Sequence, residues 1–237
     1  MTDTGGERLS KRVAALAACS RREAEQYIAG GWVRVEGQVI EEPQHRVRQE
    51  RVEIDGAASL MAVTPVTLLL HKVPGASILL KQEQQWTQDR SGLRLLKKHS
   101  AGLESVVPLE DAASGLLVFS QDWRILRRLE EDAAFLEHEL MVDVAGEVSQ
   151  QVLAALNQPL VERGQPLPQV KFSLNSTPTG HTRLRCAVKG SHPGLLAYRL
   201  ERQGLHITGM KRVRLGRVFL ATLPPGQWRF LLSGEKF

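Results

Sequence analysis

The sequence predicts an α+β protein in which a small N-terminal helix-helix-hairpin domain precedes a larger domain with a mixed, mainly antiparallel sheet and flanking helices. Two observations carry this prediction. Two short helical patterns followed by alternating apolar residues occupy the N-terminal part of the chain. Repeated short apolar runs, separated by two amphipathic stretches, fill the remainder. We therefore expect domains at residues 1–57 and 67–237, joined by a linker at residues 58–66.

The N-terminal pattern begins with two helices. The stretch RLSKRVAALAA, residues 8–18, has apolar residues at helical spacing. Ser20 followed three residues later by Glu23 is a capping box, and the pair Gly30 and Gly31 ends the second helix. A hairpin that turns at EG is predicted next, within WVRVEGQVI, and another short strand within RVEIDG.

The larger domain is predicted to consist mostly of strands. Helical patterns occur at DWRILRRLEEDAAF and SQQVLAALNQPLV. The predicted strands lie within TLLLHKVPGASILL, SGLLVFS, HELMVDV, KFSLN, TRLRCAV and LHITGMKRVRLGRVFLATL.

Composition narrows the class of protein. The 237 residues include 31 Lys or Arg against 26 Asp or Glu, and no apolar run approaches the length of a membrane span. Two cysteines form no disulfide framework, and the seven histidines lack the spacing of metal ligands. We expect a cytoplasmic protein that needs no metal and no membrane, with a polyanion such as nucleic acid as its partner.

Charge is unevenly distributed along the chain. Residues 101–150 hold three basic and eleven acidic residues, whereas residues 183–217 hold nine basic and one acidic residue. An acidic excess repels phosphate, so residues 101–150 disfavour RNA binding. The basic excess of residues 183–217 favours it.

The N-terminal segment resembles the RNA-binding domain named after the fourth small-subunit ribosomal protein. The resemblance lies in SRREA, which opens a helix, and in the hairpin that carries GWVRVEG. It implies that basic side chains of this domain lie along an RNA backbone. The residues expected to do so are Arg8, Lys11, Arg12, Arg21, Arg22 and Arg34.

From residue 8 to residue 231 the chain resembles the ribosomal RNA pseudouridine synthases of the small-subunit type. The segment SVVPLEDAASGLL corresponds to that family's Gly-Arg-Leu-Asp-x-x-Thr/Ser-x-Gly-Leu-Leu motif, with Leu109 on the motif leucine. Glu110 then occupies the position of the catalytic aspartate, and Asp111 is a fallback acid. The resemblance implies an isomerase that works on uridine without a cofactor.

The sequence departs from the family at the positions that carry chemistry. Glu110 is one methylene longer than aspartate, and a displacement of about 1 Å can cost a hundredfold in rate. Pro108 replaces the motif arginine. His138 and Leu140 replace the lysine and tyrosine of Lys-x-Tyr, and leucine performs no acid-base chemistry. The family's later basic motif, Arg-Gln-Ile-Arg-Arg-Met, corresponds to GSHPGLLAYRL, in which only Arg199 is left as a remnant.

Other segments keep the family pattern. LHKVPG contains Lys72, and MKRVRLGRVFLATLPPGQWRFL contains Lys211, Arg212 and Arg214. These four residues complete the set expected to contact RNA. The alternative interpretation of the C-terminal group is a solvated edge strand that is kept basic to avoid sheet pairing.

Three functions remain open at this point. The first is a monomeric protein that binds structured RNA, most simply ribosomal RNA, and has lost catalysis or retains it weakly. The second is an active pseudouridine synthase with Glu110 as nucleophile. The third is a protein-interaction module on the same scaffold.

Overall fold

The structure is a computed structural model that describes residues 5–60, 63–76, 78, 80–100, 102–105 and 107–237. The chain divides into two compact units. The first comprises the described residues up to Pro65 together with those from Arg94 to Gly102, and the second comprises those of 66–93 and 103–237. No helix in the described ranges is long and apolar enough to cross a membrane.

The described residues of the first unit form three helices and several short strands. Its elements are β1 (Glu7–Arg8), α1 (Leu9–Leu16), α2 (Arg21–Ala29), β2 (Val33–Val35), β3 (Gln38–Val39), β4 (Arg46–Val47), β5 (Val52–Ile54) and α3 (Lys97–Ser100). Strand β2 lies between β3 and β5 in an antiparallel sheet, and β1 pairs with β4. Apolar residues from α1, α2, β2 and β4 form a single core: Leu9, Val13, Ala24, Ile28, Val33, Val35 and Val47.

A later piece of chain completes this unit. The guanidinium of Arg94 donates to the carbonyl of Gly31 at 2.9 Å and lies 5.6 Å from the ring centroid of Trp32. The amide of Lys97 donates to the Glu41 carboxylate at 2.7 Å. Residues far apart in the sequence therefore belong to one unit, which the local patterns did not predict.

The second unit is built on one large sheet. Its elements are β6 (Thr67–Lys72), β7 (Ser114–Ser120), α4 (Trp123–Glu131), β8 (Glu137–Ala145), α5 (Gln150–Leu156), β9 (Val161–Glu162), β10 (Gln165–Pro166), β11 (Val170–Ser176), β12 (His181–Lys189), α6 (Leu195–Glu201), β13 (Ile207–Leu215), β14 (Val218–Phe219) and β15 (Trp228–Phe230). The order across the sheet is β11-β12-β8-β13-β7-β6-β15, with β14 paired to β13. Only β13 and β7 run parallel in this series.

The contact between the parallel strands β7 and β13 is unusually close. Gly115 has φ of 109°, and a Cβ atom built on it would lie 2.2 Å from the carbonyl oxygen of Arg212. Only glycine fits both the conformation and the space. The start of β7 is therefore held against β13.

The predicted fold class is confirmed, because an N-terminal helix-helix-hairpin unit precedes, along the chain, a unit in which helices flank a mixed, mainly antiparallel sheet. Helix α6 was not predicted, and neither was the assignment of residues 94–102 to the first unit. The division into residues 1–57, 58–66 and 67–237 stays a prediction. Residues 61 and 62 of the predicted linker lie outside the described residues.

Candidate functional site

A pocket of about 200 Å³ lies on the sheet of the second unit. The loop before β7, strands β8, β12 and β13, and the start of α6 enclose it. Its walls are mostly apolar and include Leu109, Leu140, Val188, Leu195, Leu196 and Met210. Polar groups are contributed by Glu110, His138, Ser191, His192 and Arg212.

Glu110, the residue at the family's nucleophile position, lies at the exposed rim of this pocket. Its carboxylate accepts a hydrogen bond of 2.7 Å from the backbone amide of Gly194, immediately before α6. Within the described ranges, no Lys, Arg or His forms an ion pair with it. The acid predicted from the motif thus borders the pocket, but a backbone amide is its hydrogen-bond partner.

Asp111, the fallback acid, does not line the pocket. Its side chain is exposed, and its carbonyl accepts hydrogen bonds from the Gly75 amide and the Lys72 ammonium. The Gly75 contact shows what the PG turn of LHKVPG does, since it ties the end of β6 to the loop before β7.

Lys72 has a different role from the phosphate contact expected of it. The side chain is buried, and its ammonium donates to the carbonyls of Glu110, Asp111 and Ala113 at 3.1, 2.8 and 2.9 Å. All three donors of the ammonium are therefore used inside the protein. Lys72 positions the backbone that carries Glu110.

Arg212 is also internal, contrary to the expectation that it contacts RNA. It is 2% exposed and donates to the carbonyls of Leu116, Pro108 and Val107 at 2.7, 3.1 and 3.0 Å. Burial lowers the pKa of its guanidinium to about 10, so the group stays charged at neutral pH. Arg212 fixes the other side of the loop that holds Glu110.

The two positions of the family's Lys-x-Tyr pair lie inside the pocket. His138 is 5% exposed, and its pKa is lowered to about 4 by burial, then by the positive charge of Arg212 and by His192. Leu140 contributes an apolar wall. A neutral imidazole and a leucine thus stand where the resemblance expects a lysine and a tyrosine.

Arg199, the remnant of the later basic motif, points away from this pocket. Its guanidinium donates to the carbonyls of Pro168, Leu156 and Gln158 at 3.1, 3.1 and 2.6 Å. These contacts attach α6 to the segments around α5 and β11. The side chain supports the fold of the second unit and does not line the candidate site.

A ladder of ion pairs occupies the opposite face of strands β8, β12 and β13. Arg183 donates to Asp143 at 2.7 and 3.0 Å, and Arg185 donates to Glu139 at 2.7 and 2.8 Å. Arg214 donates to Glu139 at 3.0 Å and also pairs with Glu137. The acidic segment is thus partly neutralised by the basic one, which weakens the argument from sequence that it repels phosphate.

A bulge explains why Arg212 and Arg214 face opposite sides. Arg212 is opposite Leu140 and Arg214 is opposite Glu139, so β13 contains one residue more than β8 across this step. The extra residue reverses the alternation of side chains. Lys211, on the same face as the ladder, is half-buried.

The first unit presents most of the basic residues predicted to contact RNA. Those exposed to solvent are Arg8, Lys11, Arg21, Arg22 and Arg34. Two of these residues form ion pairs: Arg21 Nε lies 3.3 Å from Glu25 Oε1, and Lys11 Nζ lies 3.9 Å from Glu7 Oε2. Arg12 is half-buried, pairs with Glu7 and donates to the Arg48 carbonyl at 2.8 Å. Arg12 is therefore partly engaged in holding β1 and the segment after β4.

Sequence reasoning did not identify Gly194 and His192 as parts of the site. Gly194 has φ of 77°, and its amide reaches Glu110. His192 lines the pocket, and its Nε2 atom forms a hydrogen bond of 2.9 Å with the Lys189 carbonyl. The cluster GSHPG was the available signal, because glycine and proline concentrate at tight turns. Among the described residues, no group of three or more His, Cys, Asp and Glu is arranged to hold a metal ion.

Comparisons with known proteins agree with this architecture. Residues 7–52 match the model of the S4 domain. A solved pseudouridylate synthase structure aligns over 94% of this chain and 95% of its own, with a TM-score of 0.55 and 17% identity, and so shares the fold. An uncharacterised RNA pseudouridine synthase of Aquifex aeolicus is 28% identical over 96% of this chain and 94% of its own length.

A second relative decides the family. Ribosomal small subunit pseudouridine synthase A of Pseudomonas aeruginosa is 30% identical over 237 aligned residues, which cover 96% of this chain and 98% of that protein. The S4 domain, the sheet and the full-length alignment place this chain in the family of ribosomal RNA pseudouridine synthases.

Proposed function

We propose that this protein binds structured ribosomal RNA and that its isomerase activity is lost or much weakened. The observation that carries the proposal is the environment of Glu110. Its carboxylate is bound to the Gly194 amide, while Lys72 and Arg212, which hold the loop that carries Glu110, donate to backbone carbonyls. Neither of these cations is positioned to steady a reacting carboxylate by hydrogen bonding.

The pocket itself supports the same proposal. Acid-base catalysis needs a group that exchanges a proton at the reacting atoms. Leu140 has no such group, and the imidazole of His138 stays neutral down to about pH 4. A pocket of this kind holds a ligand without transferring protons.

RNA binding is attributed mainly to the first unit. Arg8, Arg22 and Arg34 are exposed, and no ion pair engages them among the residues that the structure describes. Exposed cations of this kind bind phosphate and release counterions. We expect a monomer that acts in the cytoplasm.

A second candidate function is an active pseudouridine synthase with Glu110 as nucleophile. One observation favours it, namely that the Glu110 carboxylate borders the pocket and is exposed. If the Glu110 side chain changed its rotamer, its carboxylate would leave the Gly194 amide and contact a ligand in the pocket. The two candidates make opposite predictions about the reaction and the same prediction about RNA binding.

The test is a pseudouridine assay on unmodified ribosomal RNA transcripts, with RNA retention recorded in parallel. We expect retention without new pseudouridine, and no change of either readout in Glu110→Gln. New pseudouridines that disappear in Glu110→Gln would establish the enzyme instead.

RNA binding is tested with the double variant Arg21→Ala and Arg22→Ala. It should weaken retention and make its salt dependence shallower, by about one unit of slope for each phosphate that the variant no longer neutralises. The matched control is Arg127→Ala with Arg128→Ala, two adjacent exposed arginines on α4. Equal retention by both double variants and the unmodified chain would favour the protein-interaction module.

A further inference from the structure

The sheet of the second unit has a face that none of the described helices covers along β8, β11 and β12. Helices α5 and α6 pack on the other face, where alternate residues of these strands form a core. On the uncovered face the side chains of Arg183 and Arg185 are 40% and 55% exposed. Met141, in the middle of β8, is only half-buried there. We call this surface, together with the adjoining residues of β13, the open face.

The open face carries six basic side chains against three carboxylates. The carboxylates belong to Glu137, Glu139 and Asp143. The basic residues are Lys171, Arg183, Arg185, Lys189, Lys211 and Arg214. The three arginines bind the three carboxylates in the ladder of ion pairs. The three lysines form no ion pair within the described part of the chain, so the face keeps a surplus of three positive charges.

The lysines lie around the ladder and are separated from one another. Lys171 is opposite Ala187, two residues before Lys189 on the neighbouring strand. With about 4.8 Å between strands and about 3.3 Å per residue, their Cα atoms are about 8 Å apart. Lys211 is opposite Met141, two strands and four residues from Lys189, at a distance of about 16 Å. Each lysine can therefore contact a phosphate of its own.

The side chains of the open face restrict the kind of partner that fits it. Protein sheets that bind the bases of single-stranded RNA do so by stacking them on aromatic side chains. Among the described residues, the outward positions of β8, β11 and β12 hold no Phe, Tyr or Trp. Phe219, at the edge beside β13, packs over the guanidinium of Arg214 at 5.7 Å. The face thus offers point charges for phosphates and little for bases.

We propose that the open face is a second RNA-contacting surface, on which Lys171, Lys189 and Lys211 bind phosphates of ribosomal RNA without reading its sequence. The proposal rests on the proposed RNA-binding function and adds to the first unit a contact surface on the second. This surface lies on the opposite side of the sheet from the pocket. Its contribution to affinity comes from the release of counterions and is the same for any RNA of similar shape.

The experiment is a lysine footprint of the full chain, in which acetylation of each lysine is measured by mass spectrometry with and without an unmodified ribosomal RNA transcript. Lys171 and Lys189 are exposed and should be protected by the RNA. The matched controls are Lys81 and Lys236, two exposed lysines of the second unit outside the open face. Their acetylation should not change.

Variants measure the contribution to affinity. The double variant Lys171→Gln with Lys189→Gln keeps two polar side chains and removes two charges, so the salt slope of RNA affinity should fall by about two. The fold loss in affinity should be the same for the ribosomal transcript and for an unrelated structured RNA of equal length. Lys81→Gln with Lys236→Gln should leave the slope and the affinity unchanged.

The outcomes separate this inference from the proposed function. Unprotected Lys171 and Lys189 in a chain that still retains ribosomal RNA would overturn the inference, leave the proposed function standing and favour an acidic protein as the partner of this face. A loss of affinity confined to one of the two RNAs would show that the face reads sequence, and an equal loss in the control variant would deny it any special role. Either result contradicts the inference. Failure of the unmodified chain to retain RNA would refute the proposed function itself. The footprint of the unmodified chain decides the matter even if a variant does not fold.

Discussion

Replacement of Gly115 by alanine tests the close approach of strands on which the candidate site is built. The new Cβ would lie 2.2 Å from the carbonyl oxygen and 2.6 Å from the amide nitrogen of Arg212, both of which are backbone atoms. The conformation at φ of 109° adds strain of about 1–3 kcal/mol, and forced separation of packed strands adds about 1–3 kcal/mol. We expect a loss of about 4 kcal/mol in the free energy of unfolding.

The assay is thermal and urea unfolding followed by circular dichroism. For a unit of this size about 4 kcal/mol corresponds to a fall of roughly 10 °C in Tm. Gly146→Ala is the matched control, since its φ is 76° and a Cβ atom there meets no heavy atom within 4 Å. It should cost only about 1 kcal/mol, from backbone strain. If the two variants lose the same stability, β7 and β13 do not approach as closely as described.

Individual side chains provide three further predictions. Lys72→Met leaves three carbonyls of the loop without their donor and should cost about 3 kcal/mol in urea unfolding, whereas Lys171→Met, at an exposed lysine, should cost almost nothing. The low pKa of His138 makes stability fall as the pH drops from about 6.5 to about 4, because the unfolded imidazole takes up a proton that the folded one refuses. His138→Leu should remove up to about 3 kcal/mol of that dependence, measured by urea unfolding at each pH, whereas His206→Gln should not. Arg22→Ala should lower the salt slope of RNA affinity by about one.

Each of these predictions has a result that contradicts it. A Lys72→Met variant as stable as Lys171→Met would mean that water replaces the ammonium in the loop. Parallel acid profiles for His138→Leu and the unmodified chain would mean that other titrating groups set the dependence, among them His71 and His99, whose pKa values burial also lowers. An unchanged salt slope in Arg22→Ala would remove that residue from the RNA interface.

Local signals in the sequence predicted the elements that depend on neighbouring residues. The capping box is an example, since the Glu23 amide donates to Ser20 Oγ at 3.2 Å and the Ser20 amide donates to the Glu23 carboxylate at 2.8 Å. Such a motif is complete within four residues and needs no tertiary partner. Helix α6 lacks this signal, because Gly194 precedes it in a left-handed conformation without a side-chain cap.

The roles of Lys and Arg side chains are harder to predict, because the sequence shows that a residue is charged but not whether its side chain is buried. The family pattern predicts Lys72 and Arg212 as phosphate ligands, yet both lie inside the second unit with carbonyls as partners. Strict alternation in MKRVRL also predicts that Arg212 and Arg214 share a face. The bulge in β13 places Arg212 and Arg214 on opposite faces of the sheet. A bulge is defined by the pairing with the neighbouring strand, so the sequence of β13 alone does not reveal it.

The ladder of ion pairs on the sheet has a consequence for how the strands find their alignment. A shift of two residues between β8 and β12 keeps the core-facing apolar residues of both strands on the core face, so hydrophobic burial alone barely discriminates against it. The same shift would place Arg183 opposite Met141 or Ala145 instead of Asp143, depending on its direction. Charge therefore supplies the discrimination that apolar patterning lacks, and the ladder selects one register among those that would bury the same core.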